Sequence, residues 1–201
     1  MAPLGTCHLA AIARSTGSLK PIRWVLLAAV IVVDVLLIVV WQHRLEHRFD
    51  DLIIAAARRY GVDPSLVKAV VWQESRFDPD ARGTVGELGL MQVTEDAALE
   101  WVTSERIRGF HKDHLLDPRT NTLAGTYYLG KMIRRYTQTD DPLPFALADY
   151  NAGRGNVLRW MTGQARTNGQ VFTQSIGFPS TQAYVGSVTT RFRKYRSESQ
   201  P

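Results

Sequence analysis

The 201-residue chain is predicted to fold as an all-α domain behind a single membrane-spanning helix, and three features of the sequence predict it. From Trp24 to Trp41 the residues are almost continuously apolar. Beyond residue 50, apolar side chains recur at helical spacing between Asp-Pro and Gly punctuation. No alternation long enough for a strand interrupts them.

The apolar run comes first. Its eighteen residues span about 27 Å as a helix, enough for a hydrocarbon core, and tryptophans at its ends suit the membrane interface. Asp34 in the middle opposes insertion by roughly 2.5–3.5 kcal/mol, which the surrounding Val, Leu and Ile residues outweigh. Arg14, Lys20 and Arg23 precede the run without an acid among them, so the positive-inside tendency places residues 1–23 in the cytoplasm. No small-x-small site precedes the polar stretch after Trp41, which favours an uncleaved anchor over 24–41 rather than a removed signal peptide. Residues 42–51 then read as a juxtamembrane linker, 52–196 as the folded domain and 197–201 as a tail.

Within the domain, Leu52 to Tyr60 reads as a helix ended by Gly61. Asp63 as N-cap and Pro64 at the first helical position open a second helix to about Ser75. Phe77 to Gly89, rich in Asp, Pro, Gly and Arg, is a loop, and Glu95 to Trp101 a short helix. Asp117-Pro118 opens what is expected to be the longest helix, running to Tyr136. Pro142 to Asp149, Asn156 to Met161 and Thr181 to Tyr195 complete the set, and Thr162 to Gln174 is expected to be a mobile loop.

Composition excludes several function classes. The whole chain carries +5, but from residue 50 onward 19 basic and 17 acidic side chains leave the domain at only +2. No Lys/Arg run with interleaved aromatics supports nucleic-acid binding. The single cysteine, Cys7, precedes the anchor, so the domain has neither an internal disulfide nor a Cys-ligated metal. His43-Arg44-Leu45-Glu46-His47 matches the H-x-x-E-H pattern of some zinc peptidases, yet it is a charged stretch adjoining the bilayer and reads as an interfacial collar. His111 and His114 lie in a loop-like stretch. No metal and no cofactor are expected.

Chemistry concentrates at one misfit. Val67, Val70, Val71 and Glu74 follow i, i+3, i+4, i+7, which puts a carboxyl on the oily face of the second helix. Burial without a charged partner raises the pKa of a carboxyl toward neutrality, and a protonated Glu in a cleft is what a general acid requires. The bland alternative is a core Glu paired with an arginine. Two further segments carry polar groups in odd places. Gly86 to Gln92 has glycines that permit close backbone approach, and Ala148 to Gly153 places Tyr150 and Asn151 at a helix end. A hydroxyl, an amide, a Met and an acid around one groove suit a sugar better than a metal or a phosphate.

Taken in order, these pieces resemble the lysozyme-like domain of the soluble lytic transglycosylases, akin to goose-type lysozyme. The resemblance rests on Tyr60 to Val67, Glu74-Ser75-Arg76-Phe77-Asp78-Pro79, Gly86 to Gln92, Asp117-Pro118-Arg119-Thr120-Asn121, Gly125 with Tyr128-Leu129, Tyr150 to Gly153, and Thr181 to Val185. It implies that Glu74 is the single acid/base, cleaving the β-1,4 bond between N-acetylmuramic acid and N-acetylglucosamine in peptidoglycan with formation of a 1,6-anhydro end. It also implies that Ser75, Gly89, Met91, Gln92, Tyr150, Asn151 and Tyr184 bind the glycan or orient Glu74. The expected partners are peptidoglycan strands and, through the anchor, a bacterial cytoplasmic membrane, with the domain facing the periplasm. Three departures stand out: Asp149 before the Tyr-Asn pair, Glu87 in place of a common Ala, and Val93-Thr94 after Gln92. A hydrolytic lysozyme using Asp78, Asp80 or Glu87 as a base for water, and an inactive glycan-binding module, are the alternatives.

Overall fold

Nine α-helices and two 3-10 turns account for most of residues 20–199, the part of the chain that the computed structural model describes, with side chains from residue 23. Cys7, Arg14 and the rest of residues 1–19 lie outside the described residues, as do Gln200 and Pro201. No strand forms among the described residues; two isolated bridges join Arg82 to Leu88 and Leu88 to Val93. The chain divides into two units at His43.

The first unit is most of helix α1 (Lys20–His47). It contains an 18-residue window of mean hydropathy 2.9, none of it buried against protein. Apolar side chains exposed on every side of a helix suit lipid rather than water. The helix continues through residues 42–47, where the sequence suggested a linker, and breaks only at Arg48 and Phe49.

The second unit starts with the last turn of α1 and contains α2 (Asp50–Tyr60), α3 (Pro64–Ser75), α4 (Glu95–Glu105), α5 (Pro118–Arg135), α6 (Pro142–Ala152), α7 (Arg154–Trp160), α8 (Gly169–Ser175) and α9 (Pro179–Glu198). Local chemistry sets the boundaries. Asp63, Asp117 and Asp141 each accept a backbone N–H in the first turn of α3, α5 and α6, each with Pro at the start of the helix. Gly61 closes α2 at φ +66°, a conformation that glycine adopts without strain. At 20 residues α9 exceeds the 18 of α5, so the longest helix of the domain is the last, not the one that Asp117-Pro118 opens.

Helix α6 is the centre. Phe145, Ala146, Leu147, Ala148 and Asp149 are all buried in succession, because α5, α7, α8 and α9 pack around it. Phe145 stacks on Tyr136 of the α5 end and on Phe172 of α8, at centroid distances of 5.6 and 4.0 Å. Phe172 therefore anchors a segment expected to be a mobile loop: Gly163–Arg166 is a 3-10 turn and Gly169–Ser175 a helix. A stretch of Gly, Thr and Gln with a single Phe has too little apolar pattern to reveal this. Asp149, 2% exposed, accepts a hydrogen bond from the Tyr136 hydroxyl at 2.7 Å and pairs with Arg135, so it locks α6 to α5 rather than facing water.

Asn121 on α5 holds the loop between α3 and α4 in place. Its side chain is fully buried, donates to the carbonyls of Leu88 (2.7 Å) and Leu115 (2.8 Å), and accepts the Met91 N–H at 2.8 Å. Asn121→Ala removes the side-chain partner of the Met91 N–H and the Leu115 carbonyl and leaves the Leu88 carbonyl with the Val93 N–H alone; it is expected to lower stability by about 3 kcal/mol, a fall of roughly 6–12 °C in the thermal midpoint read by circular dichroism.

Candidate active site

Glu74 stands in the last turn of α3, on the face formed by the fully buried Val67, Val70 and Val71. Its partner is a tyrosine, not an arginine. The Tyr184 hydroxyl, on α9 and 110 residues away in sequence, donates to Glu74 Oε1 at 2.6 Å. Burial pushes the Glu74 carboxyl up to about 7 from the ordinary 4.5; the Tyr184 hydrogen bond opposes this rise and the negative charge of Glu87 adds to it. Burial, then the nearby Glu74 charge, also raises Tyr184 and Tyr150, so both phenols remain protonated donors.

The remaining residues expected at the site are held by contacts with the loop between α3 and α4 and with α9. Tyr150, at the end of α6, donates to the Met91 carbonyl at 2.8 Å and packs edge-on against Tyr128 at 5.9 Å. The Ser75 hydroxyl is buried and donates to the Leu90 carbonyl at 2.8 Å, tying α3 to the loop instead of reaching the Glu74 carboxyl. Met91 is fully buried against Gly125, where a Cβ would collide with it, and Thr126 donates to its sulfur at 3.7 Å. Gln92, at φ +45°, spends its amide hydrogens on the carbonyls of Ala81 (3.1 Å) and Gly89 (3.0 Å). Gly89 has φ +72° and no room for a Cβ beside Asn121 and the Leu115 carbonyl. Asn151 is exposed and accepts the Thr181 hydroxyl at 2.8 Å, which couples the end of α6 to the start of α9.

Ser75, Gly89, Met91 and Gln92 thus shape and brace the loop, while Tyr184 hydrogen-bonds Glu74, Tyr150 reaches that loop through the Met91 carbonyl, and Asn151 meets Thr181. Asn121 is a support to which sequence reading assigned no role, although it closes one of the matching segments. Set among Arg119, Thr120 and Thr122, it gives no local signal that would mark it as buried. Among the described residues no three His, Cys, Asp or Glu side chains gather as a metal ion would need. His47 instead contacts Asp50 at 2.6 Å, and His111 and His114 form a capping box on the first 3-10 turn.

The raised Glu74 value makes stability depend on pH. The folded chain holds this proton more tightly than the unfolded one, so it binds the extra proton between about pH 4.5 and 7 and loses stability as pH rises through that window. Glu74→Gln is expected to leave the thermal midpoint unchanged below that window. Above it the variant should be more stable, by on the order of 1–3 kcal/mol, in paired melts at about pH 4 and pH 8.

Comparison with known proteins identifies the domain. Residues 51–173, more than half of the chain, match the family described as Transglycosylase SLT domain. A membrane-bound lytic murein transglycosylase F from Desulfosudis oleivorans is 42% identical over 113 residues, covering 55% of this chain and 23% of that protein. The soluble lytic murein transglycosylase of Escherichia coli K12 is 35% identical over 162 residues, covering 78% and 24%. A solved structure of an inactive Glu-to-Gln mutant of the Pseudomonas aeruginosa lytic transglycosylase Slt superposes with a TM-score of 0.67 at 28% identity, over 74% of this chain and 24% of that one. This chain spans about a quarter of the length of each of these relatives. It belongs to the transglycosylase SLT domain family.

Proposed function

We propose that this protein is a membrane-anchored lytic transglycosylase that cleaves the β-1,4 bond between N-acetylmuramic acid and N-acetylglucosamine in peptidoglycan. The observation that carries the reading is the Glu74 carboxyl, buried to a value of about 7 and held by the Tyr184 hydroxyl at 2.6 Å. Such a group is protonated enough near neutrality to donate, and its conjugate base is strong enough to take a proton back. Glu74 protonates the glycosidic oxygen as the C1–O bond breaks, releasing the N-acetylglucosamine side. The carboxylate so formed removes the proton of the muramyl C6 hydroxyl as that oxygen attacks C1, which closes the 1,6-anhydro ring and restores the acid. The sugar's own acetamido group stabilises the cationic intermediate between these steps. Tyr150 and Asn151 hold the glycan, and Ser75, Gly89, Met91 and Gln92 keep the loop beneath it in register. The names of the relatives support this substrate, and the inactive Glu-to-Gln mutant of the Pseudomonas protein supports an essential Glu.

The same reading takes residues 24–41 as the anchor, 1–23 as cytoplasmic, 42–51 as the juxtamembrane segment, 52–196 as the catalytic domain facing the periplasm and 197–201 as a tail. The hydropathy of α1 and the membrane-bound relatives support it.

One observation favours a second reading, hydrolysis by water. Glu87 is a second carboxylate whose charge reaches Glu74, and two carboxyls are what a lysozyme uses. Mass spectrometry of muropeptides released from purified sacculi separates the two. Products lighter by one water, without a reducing end, are expected; ordinary reducing ends would establish the hydrolase. Glu74→Gln should lower the rate by about 10³-fold, and an undiminished rate would sink the assignment. Tyr184→Phe removes a donor to the ionised carboxyl, so the alkaline limb of the rate profile should move to higher pH.

A further inference from the structure

Helix α1 holds one carboxyl where a bilayer gives it nothing to meet. Asp34 is the only Asp, Glu, Lys or Arg between Arg23 and Arg44, and it stands ten residues after Trp24 and seven before Trp41. On a helix those separations are about 15 and 10 Å. A lysine or arginine reaches an interface by laying its alkyl stem along the helix; an aspartate, with a single methylene, does not. Val30, Ile31, Leu37 and Ile38, three and four residues to either side, share its face and are 54–62% exposed. None of the apolar span is buried against protein. Among the described residues no hydrogen bond or ion pair reaches the Asp34 carboxyl. The surrounding Val, Leu and Ile residues still make the segment apolar enough to insert, so insertion would carry the acid into hydrocarbon without a partner.

A cation that answers this acid comes from neither this chain nor a second copy of it. Arg23 and Arg44 lie eleven and ten residues from Asp34, which is about 15 Å or more along the helix and beyond the length of an arginine side chain. A second copy carries the same folded domain after α1 and enters the bilayer in the same orientation. Pairing two such helices sets Asp34 against Asp34 at equal depth, and like charges repel most strongly in a low dielectric. Nor does the Asp34 face carry small residues four apart, the spacing that lets two copies of one helix approach closely. The missing charge therefore belongs to a helix of different sequence.

We propose that Asp34 and the apolar face around it dock a transmembrane helix of another membrane protein, one with a Lys or Arg at mid-bilayer depth. The proposal rests on the reading of α1 as a membrane anchor. Acidic and basic side chains within membrane segments pair because each alone opposes residence in hydrocarbon. Val30, Ile31, Leu37 and Ile38 supply the packing that surrounds the pair. Such a contact selects the membrane protein beside which the catalytic domain works, and it does so from outside that domain.

The test places the donor-labelled full chain in liposomes with acceptor-labelled single-span peptides. One is a Leu-rich helix with Lys at its centre; the other has Leu there. Energy transfer, followed as lipid dilutes the two partners, gives an association constant for each peptide. The wild type should prefer the Lys peptide about tenfold or more. Asp34→Leu should bring that ratio to about one, and Asp34→Lys should turn the preference toward a peptide with a central Asp. A wild-type ratio near one overturns the proposal. So does energy transfer between two labelled full chains that Asp34→Leu abolishes and the Lys peptide fails to compete away, since α1 would then be a self-associating helix. Flotation of the same liposomes reports the anchor separately. A full chain left in the aqueous fraction overturns the membrane reading and the docking face with it, whereas one that floats without preferring Lys overturns the docking face alone.

Discussion

The 2.6 Å hydrogen bond between Tyr184 and Glu74 is the contact on which the rest of the site depends. It joins the C-terminal end of α3 to α9, and it moderates a carboxyl that burial alone would drive further from its ordinary range. A carboxyl left unpartnered on an apolar face would stay protonated and be a poor base; one paired with arginine would stay ionised and be a poor acid. A neutral phenol, kept neutral by its own burial, leaves Glu74 between these limits.

Holding that bond requires α3, α9 and the intervening loop to be stiff. The α3–α9 register supplies one side, through Ser187 on Gln73 and Arg191 on Trp72. Asn121 supplies the other by bonding two backbone groups of a loop with no regular ladder of its own, at Leu88 and Met91, and the Leu115 carbonyl beside them. The Ser75 hydroxyl then links the two, since its bond to Leu90 ties the residue beside the acid to that loop. Behind them, α6 is buried on all sides and fixed to α5 by the Asp149–Arg135–Tyr136 cluster, so Tyr150 emerges from a rigid base. Rigid supports under a small polar surface keep reacting groups placed before substrate arrives.

Much of this was legible in the sequence. Asp-Pro pairs announced the starts of α3 and α5 because an aspartate accepts the first N–H groups and proline tolerates only that end of a helix. Glu74 stood out because a helical period and a charge disagreed at one position. The helix α8 did not announce itself: it is held by one aromatic, Phe172, inserted beside Phe145, and one residue makes no period. The side-chain roles were equally hidden. Gln92 and Met91 carry the amide and the thioether that a sugar site suggests, yet the first is spent on backbone carbonyls and the second is sealed against Gly125.

By itself the sequence determined the helical class, the apolar span of α1 and the misfit that singles out Glu74, since each follows from local spacing and hydropathy, which a chain carries without its fold. Only tertiary structure decided what that acid meets. The approach of Tyr184 across 110 residues, the two arginines on either face of Trp72 and the Glu87 charge near Glu74 all depend on how α9 and the loop fold back onto α3. Burial and distance set a carboxyl's proton affinity, and neither is a property of neighbours along the chain.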